Sequence, residues 1–202
     1  MLKTDNGTLQ TIGTALVLAL SQALPSSIGY PIVSAIAWSM GNRVLDPAYQ
    51  SVRINQWVAH DGKLSRNQLR KAVRQVYQHQ GRALYDFYHN LDRPNAIRKL
   101  VKLSPKFLQL VEECKSGKLK QGTMLLMPHL SGFNLGGLRL AEMGFNFLTL
   151  AIPNPNAGYA WQNQLRNDRG MEVLPMTISS MQLARQRLQN GGVVLTGIDR
   201  PH

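Results

Sequence analysis

Short apolar runs alternate with helix-forming stretches through the last 80 of the 202 residues, and this alternation limits the fold more than any other feature of the sequence. Between the runs lie amphipathic stretches at residues 134–143, 158–169 and 180–189. Strands separated by single helices at this spacing predict right-handed βαβ units in a mostly parallel sheet, and therefore an α/β fold. The predicted strands are Thr123–Pro128, Phe147–Ile152, Met171–Pro175 and Val193–Ile198.

The amino-terminal part is different in kind, because residues 6–42 contain no charged side chain. Two apolar helices, at 11–24 and 28–40, are predicted to meet at Pro25. Each is shorter than the ~20 apolar residues that a helix needs to span a bilayer. This favours a helical hairpin that enters one leaflet, with Trp38 and Arg43 at the interface. The alternative is a helix pair buried in the protein core.

Basic residues outnumber acidic ones by 23 to 11, which gives a net charge of +12 and predicts an anionic partner. All but one of the 17 basic residues before Thr123 lie between Arg43 and Lys120. A long basic amphipathic helix is predicted from Ser65 to His89, and a second helix from Pro105 to Glu113.

The anionic partner could be nucleic acid, a phospholipid surface or an acidic carrier protein, and the basic helix could also present an ordinary solvated face. The sequence has no recognised nucleic-acid-binding motif, and aromatic residues do not interleave the basic runs, so nucleic acid is not expected. The single Cys114 excludes an intramolecular disulfide. No Cys/His group has zinc-ligand spacing, so no metal is expected either.

Three segments follow from these patterns. We expect an uncharged, membrane-associated helical hairpin over residues 1–42, a basic helical segment over 43–122 and an α/β core over 123–202. The chain ends directly after the last predicted strand, so the core is expected to be incomplete at its carboxyl end.

Ligands of open α/β sheets bind at the carboxyl ends of the strands, so the residues after each predicted strand are the first candidates for a site. His129 follows the first strand and precedes a predicted helix, where an imidazole would be exposed at the edge of the sheet. Residues 153–156 follow the second strand, and Asp199 and Arg200 follow the last. The remaining histidines are predicted to be packed or surface side chains: His60, His79, His89 and His202.

Four blocks between Met124 and Pro201 resemble a known family. The first has the pattern His-x-x-x-x-Asp/Glu, with His129 as the histidine and Gly132 and Phe133 at a glycine and an aromatic position. The other blocks are Tyr159–Arg166, Gly170–Pro175 and Gly191–Pro201. Together they resemble the lysophospholipid acyltransferase superfamily. The branch is that of the bacterial lipid A lauroyl and myristoyl acyltransferases and the mycobacterial phosphatidylinositol mannoside acyltransferase.

The resemblance implies transfer of a fatty acyl group from an acyl-carrier-protein or acyl-coenzyme A thioester to a hydroxyl of a lysophospholipid or glycolipid. The thioester is a co-substrate, and no cofactor is implied. His129 would be the general base that takes the proton of the acceptor hydroxyl. The implied location is the cytoplasmic face of the inner membrane.

Further site residues come from the same resemblance. Ser131 and Gly132 would lie against substrate, and Arg166 and Arg200 would contact a phosphate or the lipid headgroup, with Asp199 orienting one of the arginines. Each arginine could instead belong to a surface ion pair.

The chain departs from the family pattern at the acid position, where Asn134 stands. An amide can orient the imidazole of His129, but it carries no charge to stabilise an imidazolium. Either another carboxylate, with Asp199 the best-placed candidate, reaches His129, or the chain is a catalytically impaired homologue that binds lipid. If the scaffold is otherwise competent, the substitution Asn134→Asp is expected to raise turnover.

Overall fold

The structure, a computed structural model, describes residues 19–128 and 132–197. Residues Ala19–His89 form one compact unit, and the described residues from Asn90 onward form a second. The three segments predicted from charge and apolar patterning, 1–42, 43–122 and 123–202, stay a prediction.

The first unit is entirely helical. Residues 19–23 are helical, and Pro25 then precedes helix α1 (Ser26–Met40), so two helices meet at this proline as predicted. Helix α2 (Pro47–Ala59), which the sequence analysis did not predict, is capped by Asp46, whose carboxylate accepts from the Ala48 N–H at 2.8 Å. None of the helices in the described ranges is long and apolar enough to cross a membrane.

Helix α3 (Arg66–Asn90) is the predicted long basic helix. It begins with a capping box, because the Ser65 N–H donates to Gln68 Oε1 at 2.9 Å and the Gln68 N–H donates to Ser65 Oγ at 3.4 Å. Its apolar side packs on α1 and α2 through a cluster of Ala37, Tyr49, Val73 and Tyr77.

Near its carboxyl end, α3 contacts α1 and the residues that precede α1. Gly29 leaves room for the Tyr85 ring, since a Cβ there would lie 2.2 Å from that ring. The Tyr85 hydroxyl donates to the Leu24 carbonyl at 2.9 Å. His89 is buried, with its Nδ1 2.6 Å from the Ser21 carbonyl oxygen, and is therefore a packed histidine as predicted.

The second unit contains the α/β core that the sequence predicts. Helices α4 (Pro94–Leu100) and α5 (Pro105–Lys115) precede four strands that alternate with three helices. The strands are β1 (Thr123–Met127), β2 (Phe147–Ala151), β3 (Glu172–Pro175) and β4 (Val193–Gly197). The helices between them are α6 (Phe133–Glu142), α7 (Ala157–Asn167) and α8 (Ile178–Gln189).

All four strands are parallel and lie in the order β1-β4-β2-β3. Helix α8 covers one face, where Ala184 packs against Leu148 and Val194. Helix α6 approaches the opposite face closely at Gly137, where a Cβ would lie 2.8 Å from the Met171 sulfur. Because the strands are parallel, their carboxyl ends lie at one edge of the sheet, where the sequence analysis expects the site.

The contact between α1 and α3 generates a stability prediction. The Tyr30 hydroxyl donates to Asp86 Oδ1 at 2.6 Å. This hydrogen bond and, to a smaller extent, burial raise the pKa of Tyr30 from 10.0 to about 12. The positive charge of Arg82 lowers the pKa by a smaller amount. A group with a raised folded-state pKa stabilises the fold below its unfolded pKa, and this contribution is lost as the pH rises through the folded value.

We expect Tyr30→Phe to lower the free energy of unfolding at pH 8 by about 1–2 kcal/mol, because it removes the donor to Asp86. The difference from the wild type should shrink between pH 10 and pH 12. Urea unfolding in non-ionic detergent micelles over this range measures both effects. A difference that stays constant across that range would contradict the role assigned to the Tyr30 proton.

Candidate active site

A cleft lies at the carboxyl edge of the sheet, on the face opposite α8. Its walls come from the strands and from helices α6 and α7. Most of the lining is apolar and includes Met127, Leu150, Ile152, Met171, Met176 and Leu195. Five polar side chains interrupt this lining: Asn134, Thr149, Tyr159, Arg166 and Thr196. A cleft of this kind suits an apolar ligand that carries a polar group at one point.

Arg166 is the charged side chain among the described residues that line the cleft. It lies in the last turn of α7, a helix that begins at Asn156, whose side chain accepts from the Tyr159 N–H at 2.9 Å. The residue is only 7% exposed. Its guanidinium carbon lies 5.4 Å from the centre of the Tyr159 ring, which is a cation–π contact.

The hydrogen-bond partners of Arg166 are neutral. Its Nη2 donates to Asn134 Oδ1 at 2.7 Å, and its Nη1 donates to Asn163 Oδ1 at 2.5 Å. Within residues 19–128 and 132–197, Nε has no hydrogen-bond partner and no carboxylate forms an ion pair with this arginine. The alternative of a surface ion pair is therefore wrong for Arg166 as far as the described residues are concerned.

A buried guanidinium without a counter-charge is an expensive arrangement. Arginine cannot lose its proton in a protein, so the charge cannot be avoided by neutralisation. The desolvation cost of a buried ion is several kcal/mol, of which hydrogen bonds to amides and a cation–π contact offset only a part. The arrangement fits a site whose ligand brings the missing negative charge.

Asn134 lies in the first turn of α6. This helix directly follows Gly132, which has the left-handed conformation at φ 90°. The sequence analysis expects its amide to orient His129, but its Oδ1 accepts from Arg166. Four of the predicted site residues lie outside the described residues: His129, Ser131, Asp199 and Arg200. Of the predicted site residues, the structure thus brings Asn134 and Arg166 together.

Sequence reasoning missed the roles of Asn163 and Tyr159. Both lie on α7 at positions three and seven before Arg166, which places them on the same face of the helix. That spacing is the signal that could have identified them as its neighbours.

No group of three or more His, Cys, Asp or Glu side chains in the described parts of the chain could hold a metal ion.

Nearly the whole chain matches a known protein family. Residues 6–202 match the family described as bacterial lipid A biosynthesis acyltransferase. The chain belongs to this family. It is therefore a member of the lysophospholipid acyltransferase group that the four sequence blocks predicted. A search of the curated proteins gives no match.

If Arg166 serves a ligand and not the fold, its removal should cost the protein little stability. We expect Arg166→Met to change the free energy of unfolding by no more than about 1 kcal/mol, because the lost hydrogen bonds are balanced by removal of a buried uncompensated charge. Urea unfolding in non-ionic detergent micelles is the measurement. The control is Arg187→Met, which removes an arginine that forms an ion pair with Glu172. A loss above about 3 kcal/mol for Arg166→Met would mean that its charge is compensated in the folded protein.

Proposed function

We propose that this chain transfers a fatty acyl group from an acyl-carrier-protein or acyl-coenzyme A thioester to a hydroxyl of a lysophospholipid or glycolipid. Membership of the lipid A biosynthesis acyltransferase family supports acyl transfer and lipid biosynthesis. The observation that carries the proposal is the cleft itself, in which apolar walls surround one buried arginine that has no counter-charge among the described residues. Apolar walls suit an acyl chain, and the arginine suits an anionic oxygen at its head.

In the proposed reaction, His129 takes the proton of the acceptor hydroxyl while the hydroxyl oxygen attacks the thioester carbonyl carbon. The carbonyl oxygen becomes an oxyanion in the tetrahedral intermediate. When the carbon–sulfur bond breaks, the imidazolium returns its proton to the departing thiol, and an ester remains on the acceptor. Histidine is suited to this work because its pKa lies near neutral pH.

Arg166 is the proposed donor to the oxyanion or to a phosphate of the donor or acceptor. Arg200 is proposed as a second cation, and Ser131 and Gly132 as residues against the substrate, by the family pattern alone. Asp199 is the proposed partner of the His129 imidazole. It follows β4 by two residues, and β4 is the neighbour of β1 in the sheet.

The second candidate function is that of a catalytically impaired, lipid-binding homologue. The specific observation in its favour is Asn134, which replaces the acid of the motif and whose side-chain oxygen already accepts from Arg166. If no other carboxylate serves His129, the cleft would still hold an anionic lipid without turning it over.

The test is thioester release by the protein in lipid-containing micelles, with acyl-carrier-protein and acyl-coenzyme A donors and a lysophospholipid or glycolipid acceptor. We expect acceptor-dependent release, and a decrease of about 10²–10⁴-fold for His129→Ala, because the general base is lost. The matched control is His79→Ala, which alters an exposed histidine of α3 and should leave release unchanged. If the wild type releases no thiol from any donor but still binds lipid, the result would favour the impaired homologue.

An anionic membrane surface is the proposed partner of the helical unit. Exposed apolar side chains lie on α1, on α2 and in the connection between them, and Leu45 in that connection is 94% exposed. Exposed basic side chains lie close by: Arg43 in the connection, Arg53 on α2 and Lys63 just after α2. Apolar side chains that enter the headgroup region and cations that meet anionic lipid are the two components of interfacial binding. The exposed apolar residues are Ile28, Ile32, Ile36, Trp38, Met40, Val44, Leu45, Ile54, Trp57 and Val58.

The exposed basic residues of α3, among them Arg66, Arg70 and Lys71, offer a surface to an acidic donor protein as well. This is the proposed place for the acyl carrier protein if that is the donor.

The membrane proposal predicts an effect of removing apolar side chains. We expect the double substitution Leu45→Ala and Trp57→Ala to weaken binding to phosphatidylglycerol-containing vesicles at least about tenfold, because two exposed apolar groups no longer enter the interface. Vesicle co-sedimentation is the measurement. Leu100→Ala, at another exposed leucine, is the control. Equal binding of the double variant and the wild type would exclude this surface.

A further inference from the structure

Asn134 and Arg166 join two helices of the cleft through one hydrogen bond. Asn134 is on α6 and Arg166 on α7, 32 positions apart, and the Nη2–Oδ1 distance is 2.7 Å. Asn163 accepts from the other terminal nitrogen of the same guanidinium at 2.5 Å. Two amide oxygens therefore fix the guanidinium in position, and the described residues offer no carboxylate that does so.

The distinction between an amide and a carboxylate decides the charge of the cleft. Either group accepts the same hydrogen bond from a guanidinium. A carboxylate also brings a negative charge within a few ångströms, where the attraction is large in a partly buried site. Because the arginine stays protonated, the net charge that a ligand meets depends on its neighbours. With amides at both positions, the described neighbours leave that charge at +1.

We infer that Asn134 is a positioning residue for Arg166: it orients the guanidinium without neutralising it, and so keeps the cleft able to bind an anionic oxygen. The inference rests on the proposed function in one respect, that Arg166 contacts the substrate. The Nε of Arg166 is buried and, within the described ranges, has no acceptor. The anionic oxygen belongs either to a phosphate or to the oxyanion that forms at the acyl carbonyl in the tetrahedral intermediate.

This inference reverses the expectation drawn from the family motif. The substitution Asn134→Asp restores an acid at the motif position, but the new carboxylate would form an ion pair with Arg166. Counted over its described residues, the cleft would then be neutral when empty. We therefore expect the restored acid to weaken anion binding and not to raise thioester release.

The experiment is isothermal titration of the full chain in non-ionic detergent micelles with two probes, coenzyme A and dodecanoate. Coenzyme A carries phosphates without an acyl chain, and dodecanoate carries a carboxylate on an acyl chain. We expect Asn134→Asp to weaken binding of at least one probe by about tenfold or more. The affected probe identifies the source of the anionic oxygen. In an Arg166→Met background, Asn134→Asp should have no further effect, because the charge it compensates is gone.

The matched control is Asn146→Asp. Asn146 also accepts from an arginine, Arg187, at 3.2 Å, but it lies outside the lining of the cleft. The same amide-to-carboxylate change there should leave the affinity for both probes within about twofold. A general effect of added negative charge on an anionic probe would instead appear in both variants and would overturn the inference.

A second variant keeps the inference testable if the Asn134→Asp protein does not fold. Asn163→Asp brings a carboxylate to Nη1 of Arg166 from its own helix and should weaken the same probe, while circular dichroism reports whether each variant is folded. Unchanged or tighter binding in a folded Asn134→Asp or Asn163→Asp protein overturns the inference. Unchanged binding in Arg166→Met rejects the proposed Arg166 subsite itself, so the two failures are distinguishable.

Discussion

The parallel sheet is the constraint on which the site depends. With β4 inserted between β1 and β2, strands that are far apart in the chain end side by side, at Met127, Gly197 and Ala151. Each crossover helix starts from that same edge, because a parallel strand must be followed by a return connection. Helices α6 and α7 are two of these crossover helices, and the side chain of Asn134 in the first turn of α6 meets that of Arg166 in the last turn of α7.

The cleft buries a cation among mostly apolar walls and neutral polar partners. A sequence selected only for stability would place an apolar residue or an ion pair at position 166, since either avoids an uncompensated charge. The amide partners and the Tyr159 ring hold the guanidinium but leave its charge intact. Sites that bind or transform ligands are where such locally unfavourable choices are found.

Most of the α/β core could be predicted from the sequence, because its strands are short apolar runs and its helices have a regular apolar spacing. The observed bounds of the strands and of α3, α6, α7 and α8 differ from the predicted ones by two residues at most. Helix α2 escaped prediction because Ile54, Trp57 and Val58 are exposed and form no core-facing stripe. The hydrogen bond between Asn134 and Arg166 was not predicted either, since the motif associates Asn134 with His129 and the arginine lies on another helix.

The identity of residue 134 links the stability of the cleft to its occupancy. With an amide there, the empty cleft holds a positive charge that the described neighbours leave uncompensated, and a bound anion relieves that penalty. Ligand binding and folding are then coupled, because whatever binds the folded state alone stabilises it by an amount that rises with the logarithm of its affinity. With a carboxylate at that position, the ion pair would stabilise the empty cleft instead, and an anionic ligand would have to compete with it. Asn134 thus shifts the balance of the cleft from the empty state toward the occupied one.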